Sequence, residues 1–238
     1  MKFDIKNVVK NMENGLFPPK CRGCGGTGDF LCERCKKYIS NNMKENQVAE
    51  QDVFVEAFYL GNRDEILGEL IQECKYESVR GLIPEIAELI WTGCLEKRCN
   101  RYSSPLVLVP MPTNRKHVRE RGLDHMDKIA REIEKLSGGK VERMRLLERN
   151  KDTVQVGASE KVRRKQAKEA VKLSRKTQGE IRDRKVFLID DVWTTGASLM
   201  EAGKILKDAG VSNLSAIAIT KNRPSKGAGP VIRRGLLI

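Results

Sequence analysis

Four apolar residues, Val186 to Ile189, run directly into two adjacent carboxylates, Asp190 and Asp191, and then into Thr194-Thr195-Gly196. An uninterrupted apolar run has no polar side to turn to water. It therefore reads as a strand buried on both faces, and such strands belong to parallel sheets covered by helices. Leu106 to Val109, stopped by Pro110, repeats the pattern, and Leu214 to Ile219 supplies a third such strand. Between them, Leu123, Met126, Ile129, Ala130 and Ile133, and then Leu199, Ala202, Ile205, Leu206 and Ala209, recur at helical spacing. Gly138 and Gly139 close the first of these helices and Gly210 the second. Strand, loop, helix, strand, loop, helix, strand is the alternation of a parallel α/β sheet.

The preceding stretch is mixed. Val53, Val55, Ala57 and Tyr59 alternate with more varied neighbours, which predicts a short strand broken at Gly61 and Asn62. Ile66, Leu67, Leu70, Ile71 and Cys74 predict a helix, and Ile83, Ile86, Ala87, Ile90 and Cys94 a second one, with Pro84 near its first turn. Arg143 to Arg184 is dense in Lys and Arg and short of large apolar residues, and reads as a basic stretch with one polar helix near Lys161 to Lys172.

Residues 1–46 differ from all of this and hold four of the seven cysteines. Cys21 and Cys24 form one CxxC knuckle, Cys32 and Cys35 another. Paired knuckles deliver four thiolates to a tetrahedral ion, so they predict a closed, structural zinc site. Cys74 and Cys94 fall on apolar helix faces, where a buried thiol is the ordinary reading. The expected organisation is a zinc-knuckle module over 1–46, an α/β domain over 47–222 and a basic tail over 223–238.

Composition narrows the partners. The net charge is +13, spread along the chain, which favours polyanionic ligands, either nucleic acid or phosphorylated metabolites. Aromatic residues make up only 5%, too few for an extended base-stacking surface. No run of about 20 apolar residues occurs, so no membrane span is expected. The opening MKFDIKNVVK carries no apolar stretch followed by a cleavage site, which predicts a cytoplasmic chain with reduced thiols.

The segment after Ile189 has the chemistry of a sugar-phosphate site. Backbone N–H groups at a helix start face an anion and the helix dipole favours it. Thr194, Thr195 and Ser198 add hydroxyls, and Gly196 permits close approach of the main chain. Asp190 and Asp191 are placed to accept from ribose hydroxyls. This segment, IDDVWTTGAS, resembles the 5-phosphoribosyl-1-pyrophosphate (PRPP) loop of type I phosphoribosyltransferases. Taken with the cysteine knuckles, Cys74-Lys75-Tyr76, Val109-Pro110-Met111-Pro112, Arg119-x-Arg121-Gly122 and Thr153-x-Gln155, the chain resembles the ComF family of competence-associated proteins from Cys21 to about Thr220. Where that family tends to read Arg-Gly-Phe-Asn-Gln, this chain has Arg121-Gly122-Leu123-Asp124-His125, and Asp124 would bring negative charge toward a polyphosphate there.

The resemblance implies a type I phosphoribosyltransferase-like fold behind the zinc module. It implies Asp190 and Asp191 as the ribose-binding and catalytic acids, and Val192, Thr194, Thr195, Gly196, Ala197 and Ser198 as the phosphate cradle. Arg115, Lys116, Arg119 and Arg121 would meet pyrophosphate, and Thr153, Gln155, Arg163 and Arg164 would belong to a flap over the site. Lys75 lies near a further phosphate-facing position. Magnesium would bridge ribose hydroxyls and the polyphosphate, with Asp190 and Asp191 as the acids that serve ribose and metal. His117 and His125 are candidate proton carriers, but each sits in a loop or at a helix start, where ordinary surface is the expected reading. Two functions are expected on these grounds. One is a PRPP or phosphorylated-nucleoside site, catalytic or not, tied to nucleotide metabolism or DNA uptake. The other is a non-catalytic nucleic-acid-binding competence protein whose partners are single-stranded DNA or a DNA-uptake helicase.

Overall fold

The computed structural model describes residues 18–43, 45–47, 53–63, 65–75, 81–114, 118–120, 122–149, 171–174 and 181–222. Along the chain these form α1 (Glu33–Asn42), β1 (Asn46–Gln47), β2 (Ala57–Asn62), α2 (Ile66–Cys74) and α3 (Leu82–Ile90). Helix α3 continues through a π-helical turn, Trp91–Leu95, into α4 (Glu96–Cys99), so the second helix predicted from periodicity is longer and underwound after Ile90. Then follow β3 (Leu106–Pro110), α5 (His125–Leu136), β4 (Val141–Arg143), β5 (Leu147–Arg149), β6 (Val171–Leu173), β7 (Lys185–Trp193), α6 (Ala197–Asp208) and β8 (Asn213–Lys221).

Six strands make one sheet in the order β1-β2-β8-β7-β3-β4. The five from β2 to β4 run parallel, and β1 pairs antiparallel with the outer edge of β2. The predicted α/β class, a parallel sheet flanked by helices behind a four-cysteine module, is the architecture found. Alternation sorts the sheet's side chains between two cores. Phe187, Ile189, Ile217, Ile219, Leu106 and Leu108 pack under α2, α3 and α5, together with Cys21, Leu31, Cys35 and Ile39 from the cysteine module. Val186, Leu188, Val107, Val109, Leu214, Ala216 and Ala218 pack on the other side, against Leu199, Ala202 and Leu206 of α6.

This topology places a cleft. From β3 the chain crosses through α5 to β4 on one side, and from β7 it crosses through α6 to β8 on the other. The order therefore reverses between β3 and β7, and the crevice beyond the carboxyl ends of such a strand pair is where open α/β sheets bind ligands.

Three expectations need correction. The second strand starts at Ala57, not Val53, and runs through Gly61 and Asn62, because its ladder with β8 extends from Ala57 to Asn62. Val53 and Phe54 instead cover Gly203 on α6, where a methyl group would meet them at 2.6 and 2.8 Å. The polar helix expected as far as Lys172 does not reach it. Val171 and Lys172 are in β6, paired antiparallel with β5, and residues 161–170 lie outside the described residues. Finally, the strand does not end where the apolar run meets the acids: Asp190 and Asp191 lie within β7, because it remains paired with β8 as far as Trp193.

Candidate functional site

Asp190 and Asp191 sit where β7 emerges at the carboxyl edge of the sheet, and their alternation sends them to opposite sides. Asp191 continues the row of Phe187 and Ile189, toward α2 and α5. There the Lys75 ammonium, one residue beyond α2, lies 2.6 Å from Asp191 Oδ2. His125, the first residue of α5, brings Nε2 to 3.2 Å from the same oxygen. His125 is only 4% exposed, so the reading of it as surface was wrong. Its Nδ1 is buried without a hydrogen-bond partner among the described residues. Asp190 continues the row of Val186 and Leu188 and faces the other side, where the Arg149 guanidinium at the end of β5 favours its ionised form. The main-chain N–H of Asp191 donates to Asp190 Oδ1 at 2.9 Å.

The two acids are driven apart electrostatically. Burial, and then the neighbouring Asp191 charge, push Asp190 up to about 7. Burial also opposes ionisation of Asp191, but the His125 imidazole and the Lys75 ammonium outweigh it and hold that carboxyl well below its ordinary range. Adjacent carboxylates with separated protonation are the usual result when like charges share a low-dielectric site.

The pair forms one wall of a cavity of about 220 Å³ lined also by Met111, Pro112, Thr113, Asn114, His125, Met126 and Arg149. Arg149 Nε donates to the Pro112 carbonyl at 2.9 Å and so holds the loop after β3 in place. Asp124, which sequence alone would turn toward a polyphosphate, caps α5 instead. Its Oδ1 accepts from the Asp127 N–H at 3.2 Å and from the Thr113 hydroxyl at 3.0 Å.

Beyond the acids, Thr194, Thr195, Ala197 and Ser198 are exposed at the start of α6, where no side chain of Gly196 caps the helix. Thr195 Oγ1 accepts the Ala197 N–H at 3.4 Å, leaving the rest of this terminus facing outward. Gly196 has φ +79°, and a methyl group on it would lie 2.6 Å from the Trp193 ring. Trp193 is thus the buried floor of the loop. Gly196→Ala should cost about 1–3 kcal/mol through the left-handed backbone alone, with the ring displacement added. It is expected to lower the melting temperature and weaken binding of inorganic phosphate, both measurable on the purified variant.

Arg119 is exposed, whereas Arg115, Lys116 and Arg121 lie outside the described residues, as do the expected flap residues Thr153, Gln155, Arg163 and Arg164. Lys75, His125 and Arg149 are the contributors that sequence reading missed or left unassigned. They arrive from three different elements, and only Lys75, within Cys-Lys-Tyr, had been singled out as facing phosphate.

The acids were also expected to meet magnesium. They offer oxygen ligands, which that ion prefers. However, Asp191 Oδ2 is engaged by both Lys75 and His125, and Asp190 Oδ1 by a backbone N–H. One oxygen of each acid is therefore already engaged, and an ion at Asp191 would lie beside the Lys75 ammonium. The cysteines do fit their metal. The four Sγ atoms of Cys21, Cys24, Cys32 and Cys35 all lie within 4.8 Å of one another. Cys32 Sγ is 3.7 Å from that of Cys21 and 3.8 Å from that of Cys24, the spacing of thiolates on one tetrahedral zinc with bonds of about 2.3 Å. The Gly26 N–H, then Arg34, lower the Cys24 thiol to about 6, which favours the thiolate a metal requires.

Comparison with known proteins gave no matching family model. In solved structures, the chain is similar to the allosteric regulatory enzyme of purine biosynthesis, at 14% identity and TM-score 0.32, with 50% of this chain covering 23% of that one. It is also similar to hypoxanthine phosphoribosyltransferases from Staphylococcus aureus (11% identity, TM-score 0.34, 81% of this chain and 77% of that one) and Trypanosoma cruzi (14%, 0.36, 69% and 73%). In sequence, it is 26% identical over 206 residues to Competence protein F of Haemophilus influenzae, covering 85% of each protein. The ComF resemblance carried by the cysteine knuckles and the acid-pair loop therefore extends along most of the chain, which has the parallel α/β fold expected of that family.

Proposed function

We propose that this chain binds a ribose 5-phosphate group, as PRPP or as a phosphorylated nucleoside. The observation that carries the reading is the continuity of Asp190 to Ser198. Two acids in the second half of β7 are followed closely by the start of α6, where Gly196 supplies no side-chain cap, all at the carboxyl edge of the sheet. The acids would accept from the ribose 2- and 3-hydroxyls. The 5-phosphate would lie on Thr194 to Ser198, where backbone N–H groups and the α6 dipole oppose its charge. A pyrophosphate on C1 would extend toward Arg119 and the loop after β3, and magnesium would enter as its counter-ion, part of the substrate. If transfer follows, the C1–O bond to pyrophosphate breaks as a bond from C1 to an acceptor forms. The chain's contribution is then orientation and stabilisation of charge on the ribose ring.

Calorimetric titration of zinc-loaded protein with magnesium–PRPP tests this. Saturable binding is expected, and the double variant Asp190→Asn, Asp191→Asn should weaken it by on the order of a hundredfold, the usual cost of removing charged partners from a half-buried site. Absence of binding by folded native protein would overturn the reading.

The net charge of +13 supports a second use of the same cleft, as a seat for the 5′-phosphate of single-stranded DNA. The similarity to a competence protein is in keeping with it. Oligonucleotide affinity falling steeply with salt distinguishes this use from binding of a small metabolite, because each phosphate contact releases counter-ions.

A further inference from the structure

We propose that Lys75 is the resident cation of the acid pair, so that ribose 5-phosphate binds here without a divalent metal. The proposal rests on the ribose-phosphate reading above and specifies how that site balances its charge. Three observations carry it. First, Lys75 Nζ is 2.6 Å from Asp191 Oδ2, and its side chain is only 15% exposed, so the pair is largely shielded from water and screening. Second, His125 Nε2 approaches the same oxygen from α5 at 3.2 Å, leaving that oxygen little room for an inner-sphere ion. Third, the Lys75 and Arg149 charges both favour the ionised form of Asp190, so basic side chains already face the acid pair before any ligand arrives.

Magnesium demands short bonds of about 2.1 Å in near-ideal octahedral geometry and gives up its waters reluctantly. To coordinate Asp191 Oδ2 it would have to displace an ammonium already in contact, and at either oxygen of that carboxylate it would sit beside a like charge. A lysine tethered at the end of α2 does the same electrostatic work without a bound ion. Its ammonium carries three donors, so it can hold the carboxylate and still offer an N–H to a ribose hydroxyl. The site thus reads a sugar through one protonated amine and two acids. Metal dependence is left to ligands that bring a polyphosphate of their own.

The position of Lys75 also ties the site to the cysteine module. Arg22, between the first two cysteines, lies 3.3 Å from Glu73 on the last turn of α2, two residues before Lys75. The knuckle therefore braces the helix end that delivers the cation.

The test is calorimetry with ribose 5-phosphate in buffer passed over a chelating resin, using zinc-loaded protein with and without added magnesium. Native protein is expected to bind with the same affinity, within about twofold, in both buffers. Lys75→Met, shown folded by its melting curve, is expected to bind at least about tenfold more weakly without magnesium, as truncating one partner of a shielded charge pair does. Native binding that appears only with magnesium, or Lys75→Met binding like the native chain, overturns the proposal and leaves the ribose-phosphate site standing. No binding of ribose 5-phosphate in either buffer, by folded protein, removes the site itself.

Discussion

Stripping the four cysteines of metal is expected to lower the melting temperature by about 10–20 °C and to abolish ribose-phosphate binding with it. The knuckles form a wall of the main core. Cys35 is fully buried and Cys21 nearly so, and both pack with Leu31, Ile39 and the residues of α2 and α3. Lys36, one residue after the last ligand, lies 2.6 Å from Glu85 and 2.8 Å from Glu88 on α3. The close approach leaves no spare room, since a methyl group on Gly23 would meet Cys35 Sγ at 2.6 Å.

A structural zinc contributes about 10–16 kcal/mol in isolated finger peptides, comparable with the whole stability of an ordinary domain. Because the sheet has a second core on its other face, only part of that should appear here. A loss of about 5 kcal/mol corresponds to the stated drop for a chain of this size. Binding should fail because α2 loses its brace and Lys75 its position. Thermal melts and ribose 5-phosphate titrations of zinc-loaded and zinc-stripped protein, with re-addition of zinc as the reversal, measure both effects. Cys35→Ser should reproduce them. A stripped protein that melts and binds unchanged would show that the cysteines are independent of the site.

How much of this was legible in the sequence depends on how local the cause was. The long strand β7, the turn at Gly196 and helix α6 follow from an apolar run, a positive-φ glycine and a 3.6-residue period, all read within one window. The cysteine cluster was equally plain, because CxxC spacing is itself a geometric constraint. Strands β5 and β6 were not readable, since three residues in a basic stretch give no alternation to detect. The start of β2 was misplaced for a related reason. Val53 and Val55 alternate as a strand would, but Val53 packs onto α6 while Val55 is exposed, and pairing with β8 decides where the strand begins.

The site itself was half visible. The acids and the phosphate loop lie together in sequence, whereas Lys75, His125 and Arg149 converge only through folding. One signal was available for His125. Phe187, Ile189 and Asp191 share one face of β7, and a helix beginning at residue 125 after an Asp124 cap must cover one face of the sheet. The side it covers was not encoded locally, so His125 read as surface.

Asp190→Asn is expected to make the ligand-free protein more stable at pH 8 while destroying its ligand site. In the folded chain, burial and the Asp191 charge raise Asp190 to about 7, against an ordinary value of 3.8, with Arg149 and Lys75 pulling the other way. Below pH 4 the side chain is protonated in both folded and unfolded forms and contributes no pH dependence. Between pH 4 and 7 the unfolded chain gives up the proton while the folded chain keeps it, so native stability falls as pH rises. Above about pH 7 both forms are ionised and the penalty is constant, on the order of 4 kcal/mol.

Asn keeps the shape of the protonated acid and has nothing to ionise. The difference in melting temperature between variant and native protein should therefore grow from pH 5 to pH 7 and level off by pH 8. Asp191 does not confuse the comparison. Its pKa is lowered, so its own contribution is complete above pH 4 and is lost only in stronger acid. Paired melts at pH 5 and pH 8 decide the matter, and a constant difference across that range would mean that Asp190 carries no buried-charge penalty. A penalty that disappears with the acid, together with binding, is what a carboxylate held in place for its ligand should show.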